Sequence, residues 1–133
     1  MSAPVHVAAG VVLDRLDRVL LCRRPERGRF SLRWEFPGGK VEPGEEAPAA
    51  LERELREELG LETVAGRRLL VVEHRYAGGP WVRLEFFEVA RWSGTPRSDG
   101  FHELRWVERS ELSGYDILEA DAPLVRLLAR GGR

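Results

Sequence analysis

The sequence predicts a single mixed α/β domain, on three observations. Short β-branched and aliphatic runs recur at 5–13, 19–23, 69–76 and 81–90, each bounded by turn-forming residues. One segment between them, 47–59, carries helical periodicity, with Pro48 tolerated in its first turn and Gly60 just past its end. The chain's 133 residues, 43% of them hydrophobic, suffice for one hydrophobic core and argue against a second domain, so residues 1–133 are read as one unit.

Taken in order, 5–13 and 19–23 are joined by the polar "DRLD", which predicts a hairpin. "RPERGR" reads as a loop, and a short strand at 31–35 runs into "PGG", whose proline and glycines end it and allow tight or positive-φ backbone. The helix follows at 47–59. Strands return at 69–76 and 81–90 across "AGGP", and 101–107 reads as another strand. Ser110 is placed to cap a short turn, and Asp121, before Ala122 and Pro123, to cap a closing helix ending near 130. The terminal "RGGR" is expected to fray.

Composition removes several function classes. With 21 Lys and Arg against 22 Asp and Glu, the formal charge is −1, so no global basic field exists to drive nucleic-acid binding, and any anionic partner must be held locally. Cys22 is the only cysteine, which excludes an intramolecular disulfide and a cysteine-only metal cage; it reads as a small apolar strand residue. The apolar run at 5–13, interrupted by His6 and halted by Asp14, is too short to span a bilayer and reads poorly as a signal peptide. A cytoplasmic protein with no membrane partner is expected, and monomer and homodimer are both open.

The chemistry concentrates in "FPGGKVEPGEEAPAALERELREELGL", residues 36–61, which carries seven acidic side chains, far more than a core helix needs. At about 100° per residue, Leu51, Leu55 and Leu59 fall within about 80° and form a buried stripe. Glu54, Glu57 and Glu58 fall within about 100° on its flank. Like charges three or four residues apart oppose helix formation unless something neutralises them. A hard divalent cation would do so, since it prefers oxygen ligands. A salt-bridged surface helix, with Arg53 to Glu57 and Glu52 to Arg56 as pairs, would show a similar pattern, and on pattern alone both readings stay open. The "PGG" turn favours the cation, because it can present a backbone carbonyl to a metal and leave room for a phosphate, and a bound cation neutralises phosphate oxygens and orients water.

Gly39, Glu45, Arg53, Glu54, Leu55, Glu57, Glu58, Gly60 and Leu61, at these spacings, match the Nudix box at every position. Seven are single-residue requirements, so a chance match at a given start is on the order of 10⁻⁸ to 10⁻⁹. The chain therefore resembles the Nudix hydrolases, and "VAAGVVL", "LLCRRPE", "WEFPGGKVEPGE" and "ARWSGTP" resemble the MutT branch in particular. The resemblance implies an α/β/α sandwich with a central mixed sheet, acting on a nucleoside diphosphate linked to another group with Mg²⁺ or Mn²⁺. It places Glu54, Glu57, Glu58 and the Gly38 carbonyl at the metals, lets Glu54 help activate water, gives Arg53 the task of orienting the glutamates, and leaves Glu45 to the loop–helix geometry. It further suggests Arg24 and Arg29 near the phosphates, Glu35, Phe36, Pro37 and Gly38 at the base and sugar, and Glu103 as a late carboxylate and a weaker candidate for general base. Phe86 or Trp34 would stack on the base unless core packing claims them.

The implied reaction is hydrolysis of a (deoxy)nucleoside triphosphate to monophosphate and pyrophosphate, of the kind that clears oxidised nucleotides and protects DNA. At Asp121 the sequence departs from the asparagine of the oxidised-guanine enzyme. An ionised aspartate only accepts hydrogen bonds and suits the N4 amine of cytosine, so CTP or 5-methyl-dCTP stands beside 8-oxo-dGTP as candidate substrate. Burial that protonated Asp121 would restore oxidised guanine. Dinucleoside polyphosphate or ADP-ribose hydrolysis, and a non-catalytic nucleotide-binding module, are the alternatives.

Overall fold

The computed structural model describes residues 3–131; the expected frayed terminus at 130–133 falls partly outside that range. Seven strands, β1 (Val5–Val11), β2 (Val19–Arg23), β3 (Trp34–Glu35), β4 (Gly38–Lys40), β5 (Glu62–Arg75), β6 (Trp81–Ser93) and β7 (Glu103–Val107), accompany two helices, α1 (Ala47–Leu59) and α2 (Ala122–Ala129). Short 3₁₀ turns at Arg109–Gly114 and Glu119–Asp121 precede α2.

The strands form two sheets. A mixed four-stranded sheet has the order β4-β1-β6-β5, with β1 and β6 parallel, and an antiparallel three-stranded sheet has the order β3-β2-β7. Side chains alternate along β1, so Ala8 faces one core and Ala9 and Val11 face the other. Leu51, Leu55 and Leu59 of α1 close the first core over Ala8, Cys22 and Phe87. Leu124, Val125 and Leu128 of α2 close the second over Leu21, Trp34 and Phe86. The layers are helix, sheets, helix: an α/β/α sandwich. Each fully buried leucine contributes about 1.5–3 kcal/mol by leaving water.

The expected hairpin at "DRLD" is only partly realised. Asp14 caps the turn through the Leu16 and Arg18 amides, and Leu13 bridges Val19, but β1 and β2 then diverge into different sheets. Each strand finds longer partners elsewhere: β1 pairs with β6 over seven registered positions and β2 with β7 over five. Helix α1 ends at Gly60 in the left-handed region, φ 70°, where the Gly60 and Leu61 amides return to Arg56 and Leu55 carbonyls.

Of the two possibilities for the glycines after Pro37, tight approach and positive φ, only the first is realised. Neither has positive φ; both lie in β4, paired with Ala8 and Ala9. Their requirement is space: a Cβ on Gly38 would stand 2.1 Å from the Ala8 carbonyl oxygen, and one on Gly39 2.2 Å from Glu54 Cδ. Close approach, and not backbone handedness, demands glycine here.

Candidate active site

The box helix builds one end of the site. Arg53 is its hub. Its Nε donates to Glu45 Oε2 at 2.8 Å and its Nη2 to Glu45 Oε1 and the Lys40 carbonyl, both at 3.0 Å. Its Nη1 donates to Glu54 and Glu57, each at 3.0 Å. One guanidinium thus ties the loop before α1, the end of β4 and two glutamates into one unit. Glu45, also taking the Glu42 amide, is held down to about pH 2 by this pairing, first of all by Arg53. Glu52 accepts the Ala65 amide and links α1 to β5.

Glu54 lies against the bare Cα of Gly39. Burial raises its carboxyl above the usual range, Arg53 pulls it down, and the charges of Glu58 and Glu57 push it up again. No three acidic or other metal-ligating side chains among the described residues are drawn into a closed cage, and Glu54 and Glu57 both aim an oxygen at Arg53. The donor set is nevertheless all hard oxygen, its mutual repulsion is offset in part by Arg53, and Gly39 leaves the carboxylate a cradle that a Cβ would fill. These features fit a divalent cation held by Glu54, Glu57 and Glu58.

A cleft of about 350 Å³ opens beside this face, lined by Arg24, Arg29, Glu35 and Lys40 at its charged side and by Asp121 among apolar residues. Glu35 connects the two regions. It lines the cleft, it feels the charge of Glu58, and burial raises its carboxyl while Arg24, 3.2 Å away, lowers it. Asp121 forms the buried floor. The segment before it is tied to β3 by the Trp34 amide on the Asp116 carbonyl and the Leu118 amide on the Trp34 carbonyl. Asp121 is not the helix cap that the sequence suggests. It stands at the N-cap position but makes no capping bond, and its Oδ2 instead accepts the Phe36 amide at 3.1 Å across the cleft floor. Burial pushes its carboxyl up to about 8, with Glu35 adding to the rise, so at neutral pH it is chiefly protonated and can donate as well as accept. The carboxyl therefore does not single out cytosine, and oxidised guanine stands beside it.

Other candidates fall differently. Phe86 is fully enclosed on the inner face of β6, edge-on to Phe36 at 6.2 Å, and offers no surface to a base. Trp34 is likewise buried, only 5% exposed and packed at right angles to the Tyr115 ring, and offers no surface to a base. Phe36 and Pro37 are buried; the first serves through its amide, and the carbonyl of the second accepts the Gly10 amide at 2.9 Å. Arg29 lies at the cleft mouth, donating to the Ala77 carbonyl at 3.4 Å. Glu103 pairs with Arg105 and lies 3.8 Å from Arg23, and it lines neither the cleft nor the recess beside α1.

That recess, of about 280 Å³, holds residues the sequence reading missed. Arg97 and Asp99 stand there with Glu57 and Glu58, because the Arg97 amide bonds the Leu59 carbonyl and Ser98 Oγ accepts the Gly100 and Phe101 amides. Asp99, and not Glu103, shares a recess with Glu57 and Glu58. In the sequence "SDG" carries only a turn signal. Lys40 and Phe30, which line the cleft, were also missed as site residues; nothing in local spacing distinguishes them.

The NUDIX domain pattern matches residues 4–128 of this chain. The CTP pyrophosphohydrolase of Escherichia coli is 37% identical over 122 residues, covering 91% of this chain and 88% of that protein. The 8-oxo-dGTP diphosphatase of Haemophilus influenzae is 32% identical over 124 residues, covering 93% and 90%. The crystal structure of a MutT NUDIX hydrolase from Burkholderia pseudomallei superposes with a TM-score of 0.83 at 28% identity, covering 94% of this chain and 98% of that one. Box, sandwich and relatives agree: the chain belongs to the NUDIX family and is a Nudix hydrolase.

Proposed function

We propose that this hydrolase converts a nucleoside triphosphate to its monophosphate and pyrophosphate, with Mg²⁺ or Mn²⁺, and that its base is either cytosine or an oxidised guanine. One observation carries the reading: the acidic face of α1 and a cleft of nucleotide size meet across β4, where Gly39 backs Glu54 and Lys40 lines the cleft. The two similar enzymes named above act on CTP and on 8-oxo-dGTP, which supports both candidates.

Glu54, Glu57 and Glu58 would hold the cation, with the Gly38 carbonyl beside them; the ion, when bound, supplies charge neutralisation at the phosphoryl oxygens. Arg53 keeps Glu54 and Glu57 in register through its shared Nη1. Glu54 keeps Oε1 on Arg53, leaving Oε2 to take a proton from the attacking water. Lys40 and Arg24 face the negative chain of phosphates. Asp121 reads the base edge. Ionised, it accepts from the amine of cytosine; protonated, it can donate to a ring nitrogen or oxo group as well.

A kinetic screen of nucleotides with either metal, run in ¹⁸O-labelled water, tests this. Triphosphates should yield monophosphate and pyrophosphate, with label on one of them. Turnover confined to ADP-ribose or dinucleoside polyphosphates would replace the reading, and nucleotide binding without phosphate release would point to a non-catalytic module.

A further inference from the structure

Among the described residues only three other than glycine have left-handed backbone, and two of them, Phe30 and Leu32, both at φ 59°, stand in the loop between β2 and β3. A bulky side chain rarely adopts that conformation, and such strain persists where the surroundings enforce it, commonly at sites that bind ligands. Gly28, two positions earlier, would suit it without cost, yet a phenylalanine occupies position 30. The enforcing bonds are visible: Arg24 Nε to the Arg29 carbonyl, the Leu32 amide to the Pro25 carbonyl, and the Arg33 amide to the Phe30 carbonyl.

Held in this backbone conformation, Phe30 lines the cleft. The ring belongs to neither buried core, is only partly buried, and lines the cleft across from Val7, Val82 and Leu84. The exposed Arg29 guanidinium lies 4.8 Å over it, so a base reaches that face by taking the place of Arg29. The ring packs 4.5 Å from the ring of Tyr76, whose hydroxyl accepts the Ala120 amide at 3.0 Å, one residue from Asp121. Aromatic face and base-reading carboxyl are thereby fixed relative to each other. We propose that Phe30, backed by Tyr76, is the surface on which the nucleobase stacks, and that it sets base affinity while Asp121 reads the edge. This rests on the nucleotide-hydrolase reading above and fills the stacking role that buried Phe86 and Trp34 cannot.

Phe30→Gly separates a binding role from a structural one, because it removes the ring and also releases the strained backbone. Affinity for CMP and GMP, measured by calorimetry without metal, should fall about 10-fold, the scale of one lost base–aromatic stack. The Tm should hold or rise, kcat should stay within about twofold while KM rises about 10-fold, and Phe30→Tyr should restore both affinity and KM. Ribose 5-triphosphate, which has no base, should lose clearly less than the base-bearing substrates, since on it the ring acts only as support for Arg24 and Arg29. Unchanged monophosphate affinity in Phe30→Gly, or an equal loss on the base-free substrate, would overturn the inference. Absent triphosphate turnover with intact, ring-dependent monophosphate binding would instead overturn the catalytic reading and leave the stack standing.

Discussion

The two ends of the site are built on opposite plans. At the phosphate end, the residues from Gly38 to Glu58 come from one continuous stretch, and Arg53 alone joins Glu45, Lys40, Glu54 and Glu57. At the base end, Phe30, Tyr76, Pro80, Leu118 and Asp121 arrive from separate segments, and the Phe36–Asp121 bond spans 85 positions. Chemistry shared by a family can be written locally, since a helix and its preceding loop fix the geometry by themselves. Substrate choice is written at long range, where a change in one loop alters the pocket without touching the catalytic unit.

The sharpest way to break this comparison is at the local end. Glu57→Gln keeps size and hydrogen bonding but removes a charge from the cation site, and kcat should fall on the order of 10² to 10³-fold, as for other lost electrostatic contacts to a transition state. Wild-type turnover would refute the metal assignment. Gly39→Ala is subtler. The new Cβ would stand 2.4 Å from Glu54 Oε2, so the carboxylate must move and activity should drop about 10 to 100-fold, the range seen when a ligand's support is disturbed. Nucleotide monophosphate binding, measured separately, should change little if the two ends are independent.

Asp121→Asn probes the remote end and should leave kcat on the preferred base within an order of magnitude while shifting the ratio of kcat/KM between CTP and 8-oxo-dGTP about 10-fold. An unchanged ratio would remove Asp121 from base recognition. The same substitution alters stability. Folding raises the Asp121 pKa from 3.8 to about 8, so the native state holds the proton more tightly. That stabilisation is complete below about pH 4 and is lost as pH rises through about 8. Thermal melts at pH 5 and pH 8 should therefore differ less for Asp121→Asn than for the wild type.

How far the sequence reached follows the same division. The extent of α1, its glycine cap, its buried leucines and the side-by-side Glu54, Glu57 and Glu58 were legible, because helical periodicity and cap chemistry act over a few residues. The strand sequence was legible in outline, but β5 and β6 run longer than their apolar patterns, pairing with each other along most of their length from Glu62 to Ser93. The parting of β1 and β2 was not legible, since a hairpin turn says nothing of what each strand pairs with beyond it. Phe86 was offered to the base and Phe30 passed over for a related reason. An aromatic in a strand and one in a loop look alike in sequence, and only the packed sheets show that the first is sealed in a core while the second borders the cleft.

By itself the sequence determined the family and the helix that carries its glutamates, because those rest on spacing within one turn or two of backbone. Tertiary structure alone decided that Asp121 is buried enough to hold a proton near neutral pH, that Asp99 and not Glu103 shares a recess with Glu57 and Glu58, and that Gly38 and Gly39 are needed for contact distance. Each of these depends on which distant atoms exclude water or occupy space around a residue. That is a property of the folded chain, which no local pattern encodes.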